Sequence, residues 1–241
     1  NFQSRISDLI KYSDDENPNR KYNPNWGYLI GDVYSQSVNF YSKPVASINW
    51  DWKISEKSKL SSVVYASWGR GGGTGFLGSI NGSSINSSKM KNAEGQIRFD
   101  DIYAWNQGAV IPAFTNNAGT AAPVNPTPGV ATRTNGLVRR SHINSHDWYG
   151  FLSNFQHKIN SNWNFSVGLD GRYYYAYHPG LISDLLGNRE YRESFDNNQK
   201  PFYTVTEVYA PRPSANPFVK AIKDESQIVS RNFNGEVMWL G

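Results

Sequence analysis

Several groups of side chains in this sequence are equipped for chemistry. His142 and His146, with Asp147 adjacent, offer two imidazoles and a carboxylate, a donor set suited to a transition metal. Their spacing suits a helix, yet Ser141 to Asp147 leads straight into an alternating strand, so a solvated loop base is the default reading. Ser141, His146 and Asp147 have the residue types of a nucleophile triad but stand too close in sequence to be one without geometry. Gly73-Thr74-Gly75-Phe76-Leu77-Gly78 satisfies the G-x-G-x-x-G pattern of a phosphate-cradling turn. A pyrophosphate also needs a helix opening there, and Ser79-Ile80-Asn81-Gly82-Ser83-Ser84 is a poor helix; the run reads as a flexible loop root. Asp14, Asp15 and Glu16 beside Asn17 and Asn19 collect oxygen ligands of the kind Ca²⁺ takes, without EF-hand spacing. Arg139 and Arg140 could meet phosphates, or form an ordinary loop pair.

Asp170 and Arg172 sit in the most strongly patterned stretch. Odd positions from Trp163 to Tyr177 read Trp163, Phe165, Val167, Leu169, Gly171, Tyr173, Tyr175, Tyr177; the even ones are mostly polar or small. A period of two puts these sets on opposite faces of a strand, with Asp170 and Arg172 on the polar one. The apolar face is graded, with Trp and Phe at one end, aliphatics between and Tyr at the other. A bilayer imposes such grading, because amphipathic rings settle at both headgroup levels. Ala46–Ile54, Leu60–Trp68 and Tyr149–Ile159 repeat the alternation, less cleanly in the second, where Val63 and Tyr65 occupy the opposite face. A further strand begins near Phe233.

The elements that position these residues follow. Strands are expected near 44–54, 59–69, 147–159, 163–177 and 233–241, with long loops over 1–36, 70–146 and 178–231. Ser55–Ser58 and Asn160–Asn162 are tight hairpin turns. Short periplasmic turns against long extracellular loops are the asymmetry of outer-membrane barrels, so both turns are expected at the periplasm and 70–146 over the barrel mouth. Residues 115–136 read as a loop tip. Asn216-Pro217 before Phe218 reads as a helix start, and Phe2, Ile6, Leu9 and Ile10 follow helical spacing. A turn centred on Ser161 sets Ile159 opposite Trp163, Phe155 opposite Val167, Phe151 opposite Gly171 and Tyr149 opposite Tyr173. A turn centred on Lys57 sets Trp52 opposite Ser62, Trp50 opposite Val64 and Ala46 opposite Trp68.

The 241 residues carry no Cys, a net charge of +4 and 15% aromatic content. A disulfide framework and a thiolate metal site are thereby excluded. The basic residues are scattered rather than gathered in a patch, which argues against nucleic acid. No apolar run of about 18 residues exists, so no transmembrane helix is expected. The start, Asn1-Phe2-Gln3-Ser4-Arg5, has no signal-peptide pattern, and closure of a barrel needs at least about eight strands. The chain is therefore expected to be a central piece of a larger barrel.

Several runs resemble TonB-dependent outer-membrane transporters of the large-barrel class with a carboxypeptidase-like N-terminal extension. These are Lys21-Tyr22-Asn23-Pro24-Asn25-Trp26-Gly27, Asn39-Phe40-Tyr41-Ser42-Lys43-Pro44, Tyr65–Gly75, Asp170-Gly171-Arg172-Tyr173-Tyr174 and Gly235–Gly241. The resemblance implies an all-β antiparallel transmembrane barrel of about 22 strands around a plug. It implies nutrient uptake across the outer membrane of a Gram-negative bacterium, energised by TonB through a plug not in this chain. Outer-membrane lipid, lipopolysaccharide and a surface lipoprotein are the implied partners. It implies no enzymatic activity, cofactor or metal, and it assigns no substrate-binding residue here. A structural or docking barrel subunit of an outer-membrane complex is the alternative, and a soluble secreted β-sandwich is a third reading.

Overall fold

The computed structural model describes residues 5–114, 124–194, 203–209, 227–231 and 235–241. The fold is mostly antiparallel β-sheet. Helix α1 spans Ile6–Lys11 and α2 spans Phe99–Asn106, with single 3₁₀ turns at Ser88–Met90 and Pro112–Phe114. The strands are β1 (Trp26–Leu29), β2 (Asp32–Ser35), β3 (Asn39–Ser42), β4 (Val45–Ser55), β5 (Ser58–Ile80), β6 (Val130–Ala131) and β7 (Asn135–Lys158). Then follow β8 (Asn164–Tyr177), β9 (Pro179–Asp184), β10 (Glu190–Glu193), β11 (Tyr203–Val205), β12 (Ile228–Arg231) and β13 (Gly235–Leu240). Among the described residues no helix is long and apolar enough to cross a membrane.

The main sheet has five strand tracks: β3 continued by β4, then β5, then β7, then β8 continued by β9, then β13 and β12. It is open, with β4 and β13 at its edges. Two tracks break at a proline. Pro44 separates β3 from β4, and His178-Pro179 separates β8 from β9. Proline has no N–H to give a ladder, so it stands at strand starts and edges. Both breaks flank one rung, Arg70–Ser145 of the β5–β7 ladder, next to Ser42 on one side and Tyr177 on the other.

That rung divides two environments. In the half that ends in the hairpin turns, β4 is exposed at every residue and β8 is exposed from Asn164 to Leu169. In the far half each face of the sheet carries a core. Phe76, Ile80 and Leu137 enter one with Phe99, Ile102 and Trp105 of α2. Leu77, Val138 and Ile182 enter the other with Ala131, Tyr191, Val205 and Val229. Neighbouring residues in a strand point oppositely, so Phe76/Leu77 and Leu137/Val138 supply one residue to each core. Buried Asn106 ties α2 to this sheet, its Nδ2 donating to the Leu137 carbonyl at 2.9 Å and to that of Leu186 at 2.8 Å.

The long loops are shorter than expected. Segment 70–146 is not loop throughout: β5 runs on to Ile80, β7 starts at Asn135, and all 23 residues of β5 pair with β7. The glycine run lies in the sheet because neighbours occupy its side-chain space. A Cβ on Gly69 would lie 2.2 Å from the His146 ring, and one on Gly71 would lie 2.1 Å from Tyr41. Rings laid over glycine supply the packing that glycine lacks. Segment 178–231 holds β9 to β12, and 1–36 holds α1 and the β1–β2 hairpin turning at Ile30-Gly31. Of the 115–136 tip, residues 115–123 lie outside the described residues, while Val130–Ala131 are fully buried in β6 against β10. The Asn216-Pro217 helix start, Phe2 and Phe233 also lie outside them.

The β7–β8 register is the expected one: Phe155 faces Val167, Phe151 faces Gly171 and Tyr149 faces Tyr173, with the Ile159 N–H donating to the Trp163 carbonyl. The β4–β5 register is not. Trp52 faces Leu60, Trp50 faces Ser62 and Ala46 faces Ala66, two residues off the expectation. The turn is Glu56-Lys57 between Ser55 and Ser58, and an irregularity between Lys53 and Ser55 leaves Ile54 as the extra residue. In this Cys-free chain the registers are separable by cross-linking. Asp51→Cys with Ser61→Cys should oxidise readily, being directly opposite, whereas Asp51→Cys with Val63→Cys, a diagonal pair at roughly 7–8 Å, should not; thiol titration after mild oxidation reads the outcome.

Candidate functional site

The polar face of the turn half gathers hydrogen-bonding side chains around open space. Alternation from four strands builds a trough of about 660 Å³ lined by Asn49, Asp51, Ser61, Asn154, Ser166 and Asp170. Its side chains bond one another. Ser61 Oγ donates to Asp51 Oδ1, Lys59 Nζ lies 3.1 Å from the same oxygen, and Ser166 Oγ donates to Asn154 Oδ1 at 2.9 Å. Arg172 grips Asp170 through both carboxylate oxygens, at 3.0 and 2.6 Å, with its guanidinium 5.0 Å from the Trp239 ring centre. The pair is neutral as a unit.

Toward the far half this face turns aromatic. Tyr65 meets Trp148 edge-on at 6.4 Å, Trp148 meets Tyr174 at 5.8 Å, and His146 stacks on Tyr174 at 5.9 Å. Gly150 makes this possible, since a Cβ there would lie 2.1 Å from the Tyr65 ring. Sequence reading passed over this cluster. The signal was Tyr65, an aromatic at the wrong parity in an otherwise alternating strand.

The other candidates are dispersed. The G-x-G-x-x-G run lies inside β5 with no helix after it, so it is neither a nucleotide site nor a loop root. His142 and His146 lie in β7, not in a loop base, and four residues place them roughly 13 Å apart along the strand. Asp147 points to the opposite face, ion-paired with Arg70 at 2.7 Å. No group of three metal-ligating side chains occurs among the described residues. Ser141 is buried and five residues from His146, so no triad forms. Asp15 spends its oxygens on a turn, accepting from the Asn17 N–H at 2.8 Å and Ser13 Oγ at 3.0 Å, bonds that hold its pKa below the usual value. Asn19 is likewise used, bonded to the Lys21 N–H and the Tyr12 carbonyl.

Arg139 and Arg140 are not an exposed pair for phosphates, because consecutive strand residues face opposite sides. Arg139 lies 4.4 Å from the Tyr34 ring centre and donates to Ser183 Oγ. Tyr34 in turn donates to Asp184 at 2.8 Å, and burial, then that carboxylate, pushes its phenol far above the ordinary value. Arg140 points to the other core; burial lowers its pKa, partly offset by Tyr191 and Glu193.

The chain matches no protein-family profile, no curated protein and no solved structure.

His142, half-buried beside Arg140, has its pKa lowered by burial and then by that cation, from an ordinary 6.5. An unfolded chain then takes up the proton first as pH falls below 6.5, so His142 stabilises the far half less in acid than at neutral pH. Thermal unfolding followed from pH 7.5 to 5.5 should show this loss, and His142→Asn should flatten it.

Proposed function

We propose that this chain is a central wall segment of a TonB-dependent outer-membrane transporter, acting in energised nutrient import across a Gram-negative envelope. The observation that carries the reading is the exposed, graded apolar face of the turn half. Ile48 is 74% exposed, Trp163 68% and Leu240 72%, with Trp50, Trp52, Val64, Phe165, Val167 and Leu169 also bare. A patch of this kind marks a surface meant for apolar surroundings. From Trp163 to Tyr173 the strand advances ten residues, about 33 Å, which at a tilt of about 40° spans about 25 Å of bilayer. That equals the apolar belt of outer-membrane barrels. Trp163 marks its turn end; Trp68, Tyr149 and Tyr173 mark the other, where Trp68 Nε1 donates to Tyr149 Oη at 3.1 Å. Just beyond that ring the same face turns charged, at Arg70 and Asp147.

In this reading the rest of the barrel pairs with β4 and β13, the trough faces the lumen, and the far half stands outside the cell as a solute-binding rim. Solute passes when a plug supplied elsewhere is displaced through TonB. No covalent chemistry is involved. Lipid and lipopolysaccharide contact the apolar face, and a surface lipoprotein sits on the rim. A β-sandwich would need a second sheet over one face, and the turn half has none among the described residues. The docking-subunit alternative differs in lacking a plug and TonB segment upstream, which the surrounding reading frame decides.

Nitroxides at Val167 and Asp170 of the full-length protein in membranes test the assignment. Position 167 should respond to oxygen and position 170 to a polar relaxer; matching profiles at the two sites overturn it. Leu169→Arg should destabilise the barrel by about 2–4 kcal/mol near the bilayer midplane.

A further inference from the structure

Pro44 and Pro179 interrupt two tracks of the sheet without shifting their registers. Ser42 faces Arg70 and Val45 faces Ser67, so Lys43 stands level with Gly69. Tyr177 faces Ser145 and Gly180 faces His142, so His178 stands level with Asn144, and its Nδ1 lies 2.9 Å from Asn144 Oδ1. Parity therefore carries the trough face across both breaks. Gly69 faces His146 and Gly73 faces His142. Lys43, His146, His178 and His142 thus share successive rungs of one face, a band about 13 Å long by the strand rise. No carboxylate among the described residues shares those rungs; Asp147 points to the opposite face, where it pairs with Arg70 at 2.7 Å. Lys43 is exposed and makes no ion pair or hydrogen bond among the described residues. Burial, then Lys43 and then Arg70, hold the His146 pKa below its ordinary value. Two buried polar atoms beside Lys43 also lack partners among the described residues: His146 Nε2, and the Oγ of Ser67, a residue 6% exposed. Ser67 is two residues from Gly69 and on the same face. Buried polar atoms are seldom left unbonded, and each such case calls for a cause.

Resting on the wall-segment reading, we propose that this band binds the anionic oxygens, carboxylate or phosphate, of an acidic solute at the outer end of the wall. Lys43 supplies the fixed charge, and His146 Nε2 and Ser67 Oγ can each donate to an oxygen held between Lys43 and the imidazole. Gly69 raises no side chain between the two, and the His146 ring lies over it. His142 and His178 continue the basic surface along the strands. The lipid-facing rings are on the opposite face, so a headgroup does not reach the band. Charge on the solute is gathered here, about 20 Å along the strand from the self-paired Asp170 and Arg172 of the trough.

Isothermal titration of the full-length protein in detergent with citrate, inorganic phosphate and glycerol tests this. Citrate or phosphate should bind, more weakly as salt is added, and neutral glycerol should not; which of the two anions binds names the group. Lys43→Gln should weaken the anion about tenfold, the size of one charge-assisted hydrogen bond. Lys43→Arg should restore it, and Lys53→Gln, at the turn end, should leave it unchanged. Because Lys43 is exposed, the variants should melt where the parent does. Failure of both anions to bind overturns the proposal, as does binding that survives Lys43→Gln or that glycerol shares. If Val167 proves lipid-accessible while no anion binds, only the acidic solute is lost. If Val167 is not lipid-accessible, the wall reading fails, and an anion held at Lys43 is no transported solute.

Discussion

Both faces of the main sheet are assigned by one ladder, the unbroken pairing of β5 with β7 from Ser58–His157 to Ile80–Asn135. Because side chains alternate with period two, this register decides at once which residues meet the exterior, the trough and the two cores. A one-residue slip would exchange them all. The ladder also joins unlike environments. At the turn end its outward residues, Leu60 and Phe155, have only other wall residues beside them; at the far end Phe76 and Leu137 are packed beneath α2. The two ends of the same two strands therefore stand in different surroundings, bare at one end and packed on both faces at the other.

The change occurs at the Arg70–Ser145 rung, and its chemistry is local. Glycines from Gly69 to Gly73 leave room for His146, Tyr41 and Phe40, while Pro44 and Pro179 interrupt the flanking tracks beside them. Beyond the rung the sheet has a core on each face. Arg139 fastens one of those layers through Tyr34, which holds Asp184, which accepts the Leu186 N–H at 2.8 Å. Such a linked set is worth more than its separate bonds only while every member is satisfied.

Alternation made the strands of the turn half legible in the sequence, including the full β7–β8 register, since parity has no competitor across Asn160–Asn162. It could not reveal the β4–β5 slip. An extra residue at Ile54 together with a two-residue turn shifts pairing by two and leaves every side chain on its expected face. The far strands were invisible for another reason. From Gly69 to Gly78 the chain has too few side chains to display a period, and what holds it in the sheet, rings and carbonyls of neighbours, lies far away in sequence. The charged members of the trough, Asp170 and Arg172, were placed by parity alone. Their mutual bidentate pairing, and the Tyr65–Trp148–Tyr174 cluster, depend on cross-strand neighbours that only register defines.

That internal pairing bears on how such a wall can work. A buried charge deprived of its partner is costly, as is a buried hydroxyl or amide left unbonded. In the trough Asp170 has Arg172, Asn154 has Ser166 and Asp51 has Ser61 and Lys59, all within the wall itself. Each of these groups keeps its partner inside the sheet, so this face can be covered or uncovered without stranding any of them.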